Sequence, residues 1–341
     1  MQTKKTKPTT ASANSITVII PARNEAANIE ACLQAVLAQD QPNFEIILVN
    51  DHSTDNTAEL ARAIAKGDKR LQVIDLHDRE QNAYKKAAIT QAISLAKGDI
   101  IVQTDADCTM GPQWLSSMHN AFVAGADLVS GPVKLQHNDS LFGKLQALEH
   151  QGLVMLGGGS LLGGFPNMAN GANLAYRRSS FYQVGGFNGI SDVASGDDEL
   201  LLQKMHQAGM ALDFVQDKDA IVYTPAMEKL SGFKAQRLRW VSKAKSYQNR
   251  MVNVVQLISY MAFWAFPAWA LMARWDFLWG GIALKIAVDF LLMLHAARFF
   301  RTFRLLWLLP VLEPLYLIYV LWVGIAGNLV KTYTWKDRSV S

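Results

Sequence analysis

Cysteine, charge and nucleotide-binding glycine motifs are all scarce in this chain. Its 341 residues hold two cysteines, Cys32 and Cys108. Two are too few for a disulfide framework or a cysteine zinc site, and they fit a reducing compartment. Charged residues make up 18% of the chain, below the roughly 25% of soluble domains, while 50% are hydrophobic. That balance excludes a disordered chain and points to a membrane. No G-x-G-x-x-G follows the first apolar run, which argues against a nicotinamide-dependent oxidoreductase. Residues 1–15 are polar with a basic start and no long apolar run, so they read as a disordered tail rather than a secretory signal. The domain that follows is expected in the cytosol.

The net charge of +4 is unevenly placed. Residues 1–250 carry 25 Lys+Arg and 25 Asp+Glu and sum to zero, whereas residues 251–341 carry 8 basic and 4 acidic residues. A nucleic-acid binder would carry its basic excess on the soluble part. Here the excess flanks apolar segments, where it orients helices in a bilayer.

From residue 16 to about residue 133 apolar runs alternate with helical patterns. Strands are expected at 16–20, 44–49, 71–76 and 100–103. Helices are expected between them, one carrying Ile29, Cys32, Leu33, Val36 and Leu37 on a single face, others at 57–66, 85–96 and 112–124. This order predicts an α/β domain whose parallel sheet is covered on both faces, with ligands bound beyond the carboxyl ends of the strands. Leu141, Leu145, Leu148 and Leu156 mark a further helix, and the glycines at 157–159 and 163–164 read as a flexible stretch after it.

Residues 228–250 carry Lys229, Lys234, Arg237, Arg239, Lys243, Lys245 and Arg250 against Glu228, interleaved with Phe233, Trp240, Val241, Ala244 and Tyr247. This pattern predicts a basic amphipathic helix in the membrane interface. Transmembrane segments are expected near 251–273, 277–297 and 305–330, followed by a tail at 331–341. The second span contains Lys285 and Asp289, which at i, i+4 can pair. Arg298, Arg301 and Arg304 lie between the second and third. With a cytosolic first domain they fall on the cytosolic side, but a third crossing would export Lys331, Lys336 and Arg338. Either the rule fails there, or the third segment bends back at Pro310 and Pro314.

Acidic clusters recur where strands should end: Glu25 after the first, Asp51 and Asp55 after the second, Asp105-Ala106-Asp107 after the fourth, then Asp197-Asp198-Glu199 further on. A D-x-D pair on an extended segment points both carboxylates the same way, which suits a hard divalent cation bridging phosphate oxygens. Each cluster alone could instead be a helix cap or an Asx-turn. Gln236, Arg239 and Trp240, at i, i+3 and i+4, share one helix face. Arg supplies a fixed fork for phosphate, and Trp a platform for a sugar ring or an interfacial anchor. His77, His137, His150 and His206 lack metal-ligand spacing and read as surface or core residues.

Together these residues resemble the family 2 glycosyltransferases, nucleotide-sugar-dependent inverting enzymes of GT-A fold. The resemblance rests on residues 21–25, 49–57, Lys86 with Ala87 and Ala88, Asp105–Asp107, residues 171–178 and 185–187, Asp197-Asp198 with Lys204 and Gly209, and Q-x-x-R-W at 236–240, over about residues 16–250. The last motif is similar to that of membrane polysaccharide synthases and lipid glycosyltransferases.

The resemblance implies a catalytic domain at 16–227, an interfacial helix at 228–250 and a membrane region at 251–330. It implies a nucleotide-sugar donor, expected to be a UDP-sugar, and a lipid or growing polysaccharide as acceptor. Arg23, Glu25, Asp51, Lys86 and Asp105 would bind the donor. Asp107, with Asp105, would hold Mg²⁺ or Mn²⁺. Asp198 would be the general base, and Gln236, Arg239 and Trp240 would bind the diphosphate and the acceptor. Lys85 beside Lys86, and Asp197 beside Asp198, leave each of those choices open. Two rival readings remain: a haloacid-dehalogenase-like phosphatase using Asp105 and Asp107, and a nucleotide-binding membrane transport subunit with Lys285, Asp289 and Glu313 along its path.

Overall fold

Seven strands form the central sheet of this computed structural model, which describes residues 15–77, 84–191, 193, 195–242, 250–329, 333–335 and 338–340. At its centre lies β1 (Ile16–Ala22), flanked in parallel by β2 (Phe44–Asn50) and β4 (Ile100–Gln103), with β3 (Leu71–Asp75) beyond β2. Side-chain alternation explains the unbroken apolar runs. Ile16, Val18 and Ile20 enter one core layer together with Ile46 and Leu48, while Ile19, Ile47 and Val49 enter the opposite layer.

Helices cover both faces. α1 (Ile29–Leu37) brings Ile29, Cys32, Leu33 and Val36 to the first layer, joined by α2 (Thr57–Ala65) and by Trp114, Leu115, Met118 and Phe122 of α4 (Trp114–Val123). α3 (Tyr84–Leu95) packs Ala88, Ile89, Ala92 and Ile93 into the second.

The far half of the sheet is mixed. β8 (Leu174–Arg177) runs antiparallel between β4 and β6 (Leu128–Ser130), and β9 (Leu212–Phe214) closes the edge parallel to β6. A second, three-stranded sheet joins β5 (Thr109–Met110), β10 (Val222–Pro225) and β7 (Val133–Gln136), tying the segment just after Asp107 to the approach to the apolar C-terminal helices. Two further helices follow β8 in the chain, α6 (Arg178–Gln183) and α7 (Glu199–Gln207).

The glycines at 157–159 are not a flexible stretch. They lie inside α5 (Leu141–Leu162), whose first turn is capped by the Ser140 hydroxyl accepting from Gly143 N at 3.0 Å. A Cβ on Gly158 would come within 2.7 Å of the Phe214 ring, so close packing against β9 outweighs the helix propensity that glycine forfeits.

The C-terminal part is helical. α8 (Leu230–Ser242) covers the start of the expected interfacial segment; Lys243, Ala244, Lys245 and Tyr247 lie outside the described residues. α9 (Arg250–Leu271), α10 (Trp275–Phe300) and, after a short 3₁₀ turn at Phe303–Leu308, α11 (Leu309–Leu329) follow. Three stretches, Met251–Leu271, Trp275–Phe300 and Phe303–Gly327, are long and apolar enough to cross a membrane. The third does not bend back at its prolines. Pro310 falls in the first turn of α11, where a missing N–H is tolerated, and the helix continues through Pro314. Residues 333–335 and 338–340 pair as a short antiparallel ladder, β11 (Tyr333–Trp335) with β12 (Arg338–Val340), where a tail was expected.

Inside the bundle, Lys285 Nζ donates to Asp289 Oδ2 at 2.6 Å and also to Glu313 Oε2. Phe263 and Tyr316 lie 5.8 and 5.4 Å from the ammonium. The cluster therefore links all three spans, and Lys285 has a second acid partner beyond the i, i+4 pair.

Candidate functional site

The carboxyl ends of β1, β2 and β4 open onto a cavity of about 530 Å³, the crevice where an open α/β sheet binds ligands. Its rim is built by cross-stitching two loops. Arg23 Nη1 donates to the carbonyls of Asp51 (2.9 Å) and His52 (2.8 Å). Glu25 N donates to Thr57 Oγ1, Ala26 N to Asp55 Oδ2, and Thr54 N to Asn24 Oδ1. Asn24 and His52 both take φ of 51°, which turns each chain sharply off its strand. Asp55 therefore serves the loops rather than the cavity, as a local turn-former.

Nine of the ten side chains singled out in the sequence line this one cavity. Arg23, Glu25, Asp51, Asp105 and Asp107 stand at the strand ends, Asp198 at the start of α7, and Gln236, Arg239 and Trp240 on α8. The tenth, Lys86, does not. Its ammonium is buried and donates to the carbonyls of Ile190 (2.8 Å), Val193 (2.5 Å) and Ser195 (3.0 Å), so it anchors the segment that leads to Asp198. Lys85 faces the cavity instead. Its Nζ donates to Asp105 Oδ1 at 2.8 Å and lies 3.4 Å from Asp197 Oδ2. Burial alone would lower the pKa of the Lys85 ammonium, but Asp105 and Asp197 outweigh it and hold it raised, hence charged.

The adjacent acids differ. Asp197 is buried, and burial followed by the charges of Asp198 and Asp105 raises its carboxyl pKa against the pull of Lys85. Asp198 is half-buried, and its two oxygens accept from Gly171 N (3.0 Å) and Glu199 N (2.7 Å). These bonds fix the carboxylate at the first turn of α7, where the helix end favours negative charge. Gly171 makes the approach possible. A Cβ there would sit 3.3 Å from both Asp198 Oδ2 and Lys85 Nζ, and 3.4 Å from Asp197 Oδ2.

Among the described residues no three His, Cys, Asp or Glu side chains gather closely enough to hold a metal ion by themselves. The donor set still fits a hard cation shared with a ligand. Asp105 and Asp107 both line the cavity, and such ions are commonly held by one or two carboxylates plus substrate phosphates. Cys108 beside them is inert: burial, then Asp105 and Asp107, push its thiol pKa well up, and its Sγ donates to Asp107 Oδ1.

Toward the apolar C-terminal helices the cavity is lined by residues that sequence reasoning passed over. Arg237, counted above among the basic residues of an interfacial helix, is only 2% exposed. Its Nη2 donates to Glu149 Oε2 on α5, and its guanidinium lies over Trp240 (4.2 Å) and Phe233 (4.6 Å), with Tyr319 of α11 at 6.0 Å. One face of Trp240 is thus covered by a cation. His150 is a cavity residue next to Glu149, and burial, then Arg237, lower its pKa to about 3, so the ring is neutral. Several polar atoms here are buried without a partner among the described residues: Glu149 Oε1, His150 Nε2, and Arg237 Nε and Nη1. Each such group costs roughly 1–3 kcal/mol in a ligand-free chain. The one sequence signal was the polar pair Glu149-His150 in a largely apolar helix.

Against this geometry the comparisons with known proteins fall into place. Residues 17–185 match the family described as "Glycosyl transferase family 2". Over these residues, just under half of its length, the chain is similar to that family. The family 2 region contains β1, β2 and β4 with every acid at their ends. The poly-beta-1,6-N-acetyl-D-glucosamine synthase of Staphylococcus aureus is 29% identical over 228 residues, 66% of this chain and 53% of the synthase. Glycosyltransferase AglE of Haloferax volcanii is 30% identical over 205 residues, 59% of this chain and 64% of its own. The chain therefore spans about half the length of the curated synthases it matches. In fold it is similar to the mannosyltransferase PcManGT from Pyrobaculum calidifontis, solved with GDP-Man and Mn²⁺, with a TM-score of 0.58 at 21% identity over 93% of this chain and 87% of that one. The fold is thus GT-A, an α/β nucleotide-sugar-type sheet followed by apolar helices.

Proposed function

We propose that the chain is a membrane-bound inverting glycosyltransferase that moves a sugar from a nucleoside-diphosphate donor to an acceptor, a lipid or a growing saccharide, at the cytosolic membrane face. One observation carries the reading: Asp51, Asp105, Asp107 and Asp198 line the same cavity as Gln236, Arg239 and Trp240, and that cavity reaches Tyr316, Val320 and Val323 of α11. Donor chemistry and bilayer are joined by one space.

In this reading Glu25 and Asp51 hold the base and ribose, with Arg23 fixing the loop that carries Asp51. Lys85, rather than Lys86, stands beside the donor with Asp105. Asp105 and Asp107 would hold Mg²⁺ or Mn²⁺ on the diphosphate, and the bound ion would supply Lewis-acid stabilisation of the leaving group's charge. The acceptor hydroxyl attacks the anomeric carbon, the bond from that carbon to the diphosphate oxygen breaks, and Asp198 takes the hydroxyl proton. Arg239 and Gln236 meet the departing diphosphate from α8. The solved neighbour that binds GDP-Man and Mn²⁺, and the synthase and glycosyltransferase relatives, support a donor and a cation of this class.

Two alternatives gain nothing comparable. The family match contains Asp105 and Asp107, which favours sugar transfer over a phosphatase. Lys285, Asp289 and Glu313 are bonded to one another rather than lining the cavity.

The test is a panel of radiolabelled UDP- and GDP-sugars with native membrane extract and Mg²⁺ or Mn²⁺. One donor should pass label to extractable product. Asp107→Ala and chelation should each abolish transfer. Asp198→Asn should bind donor nearly normally while kcat falls about 10²–10⁴-fold. Full activity of Asp198→Asn would remove the base assignment, and phosphate-monoester hydrolysis without sugar transfer would overturn the reading.

A further inference from the structure

The reaction described above gives no task to one buried, charged cluster of the cavity. Glu149 and His150 come from α5 and Arg237 from α8, and they are 5%, 6% and 2% exposed. One bond joins Arg237 Nη2 to Glu149 Oε2. Around it, Glu149 Oε1, His150 Nε2, and Arg237 Nε and Nη1 are buried without hydrogen-bond partners among the described residues. Four unpartnered polar atoms on neighbouring side chains, beside one cavity, make a recognition surface rather than a structural ion pair, whose polar atoms would be satisfied.

The chemistry of the set selects the ligand. It offers two donor nitrogens, a carboxylate acceptor and an imidazole nitrogen that serves either way in a neutral ring. The charges of Arg237 and Glu149 cancel. An anionic headgroup such as a phosphate would meet the Glu149 carboxylate, and a cation would meet the guanidinium. A neutral group rich in hydroxyls donates and accepts at once, and so satisfies both sides. Tyr316, Val320 and Val323 of α11 continue the lining, so the ligand's remaining part faces a candidate membrane span.

We infer that Glu149, His150 and Arg237 form a subsite for the hydroxyls of a neutral sugar unit carried by the acceptor. The acceptor is then an already glycosylated molecule, not a lipid phosphate. This deepens the glycosyltransferase reading and rests on it for the word acceptor, but the subsite itself is a binding claim that needs no turnover.

The experiment is equilibrium binding to the full chain in nanodiscs, without donor, corrected with empty nanodiscs. The probes are radiolabelled dodecyl β-glucoside, cellobiose and dodecyl phosphate. Dodecyl glucoside should bind, and Glu149→Gln and His150→Phe should each weaken it about fivefold, the loss of one hydrogen bond of ordinary or charge-assisted strength. Weak cellobiose binding would assign the sugar unit to a lipid. Cellobiose binding as tight as the glucoside would assign it to a free saccharide, and both results support the subsite. Melting temperatures of the two variants report folding, and a fold-neutral variant of either residue suffices. Dodecyl phosphate binding more tightly than the glucoside, and tighter still in Glu149→Gln, would overturn the inference. So would glucoside binding unchanged in both variants. If the glucoside binds but no nucleotide sugar is ever turned over, the proposed function fails and the subsite stands.

Discussion

Lys85 Nζ donates to Asp105 Oδ1 across 2.8 Å, and the next lysine along the same helix, Lys86, turns its ammonium away from the cavity. One lysine compensates acids in the cavity. The other holds three carbonyls of the segment that precedes Asp198.

Substituting the two should therefore separate function from folding. Lys85→Ala should leave the melting temperature nearly unchanged and lower kcat/KM for the donor about 10²–10³-fold, the scale for losing one preorganised charge. Lys86→Met should instead cost about 3 kcal/mol of stability by stranding buried carbonyls that had a charged donor. Thermal melts beside initial rates check both. A stable, inactive Lys86→Met would reverse the assignment.

Gly171→Ala tests how closely the acids and Lys85 must approach. The added methyl would press on Asp198 Oδ2 and Lys85 Nζ at 3.3 Å. Because misplacement of a reacting group by a fraction of an ångström to 1 Å costs up to about 10²-fold, kcat should fall by about tenfold to a hundredfold. Donor affinity, measured by nucleotide titration, should change far less.

Stability should fall on the acid side through His150. Its folded pKa, about 3, lies below the ordinary 6.5 because the ring is buried and faces Arg237. Above pH 6.5 its contribution is fully present. As pH falls toward 3 the unfolded chain gains a proton that the folded chain refuses, and stability is lost. At pH 5 the loss is about 2 kcal/mol. Glu149, raised by burial despite Arg237, acts in the opposite sense at lower pH. The comparison of unfolding curves for wild type and His150→Gln between pH 5 and 8 isolates the ring, and parallel curves would refute the assignment.

Lys285→Met should loosen the membrane bundle. It strands Asp289 and Glu313, which share that ammonium, and breaking a partly buried pair costs up to about 3–5 kcal/mol. The melting temperature in detergent should drop. An unchanged melting temperature would count against an ionic cluster.

How much of this was readable in the chain depends on the range of the forces involved. β1, β2 and β4 announce themselves as runs of Ile and Val, and the acids at their ends follow from strand length alone. β8 does not, because Leu174–Arg177 is short and its antiparallel place between β4 and β6 is set by distant partners. The choice between Lys85 and Lys86 turns on about 100° of helix rotation, fixed by the packing of Ile89, Ala92 and Ile93 rather than by the lysines. Arg237 looked like one of seven basic residues. Phe233 and Trp240 of its own helix lie over it, but the approach of α5 and α11 completes its burial, and no local pattern encodes that approach. The glycines at 157–159 were misleading for the same reason, since Phe214 of another strand explains Gly158.

The wall that α11 contributes to the cavity has a practical meaning for anyone making this protein. Cutting the chain before α8 to obtain a water-soluble fragment would keep the strand-end acids but discard Gln236, Arg239, Trp240, Tyr316 and Val320. Such a fragment would be a trough with one side missing: under the proposed function it would still grip a nucleotide but have nothing to steer the second substrate.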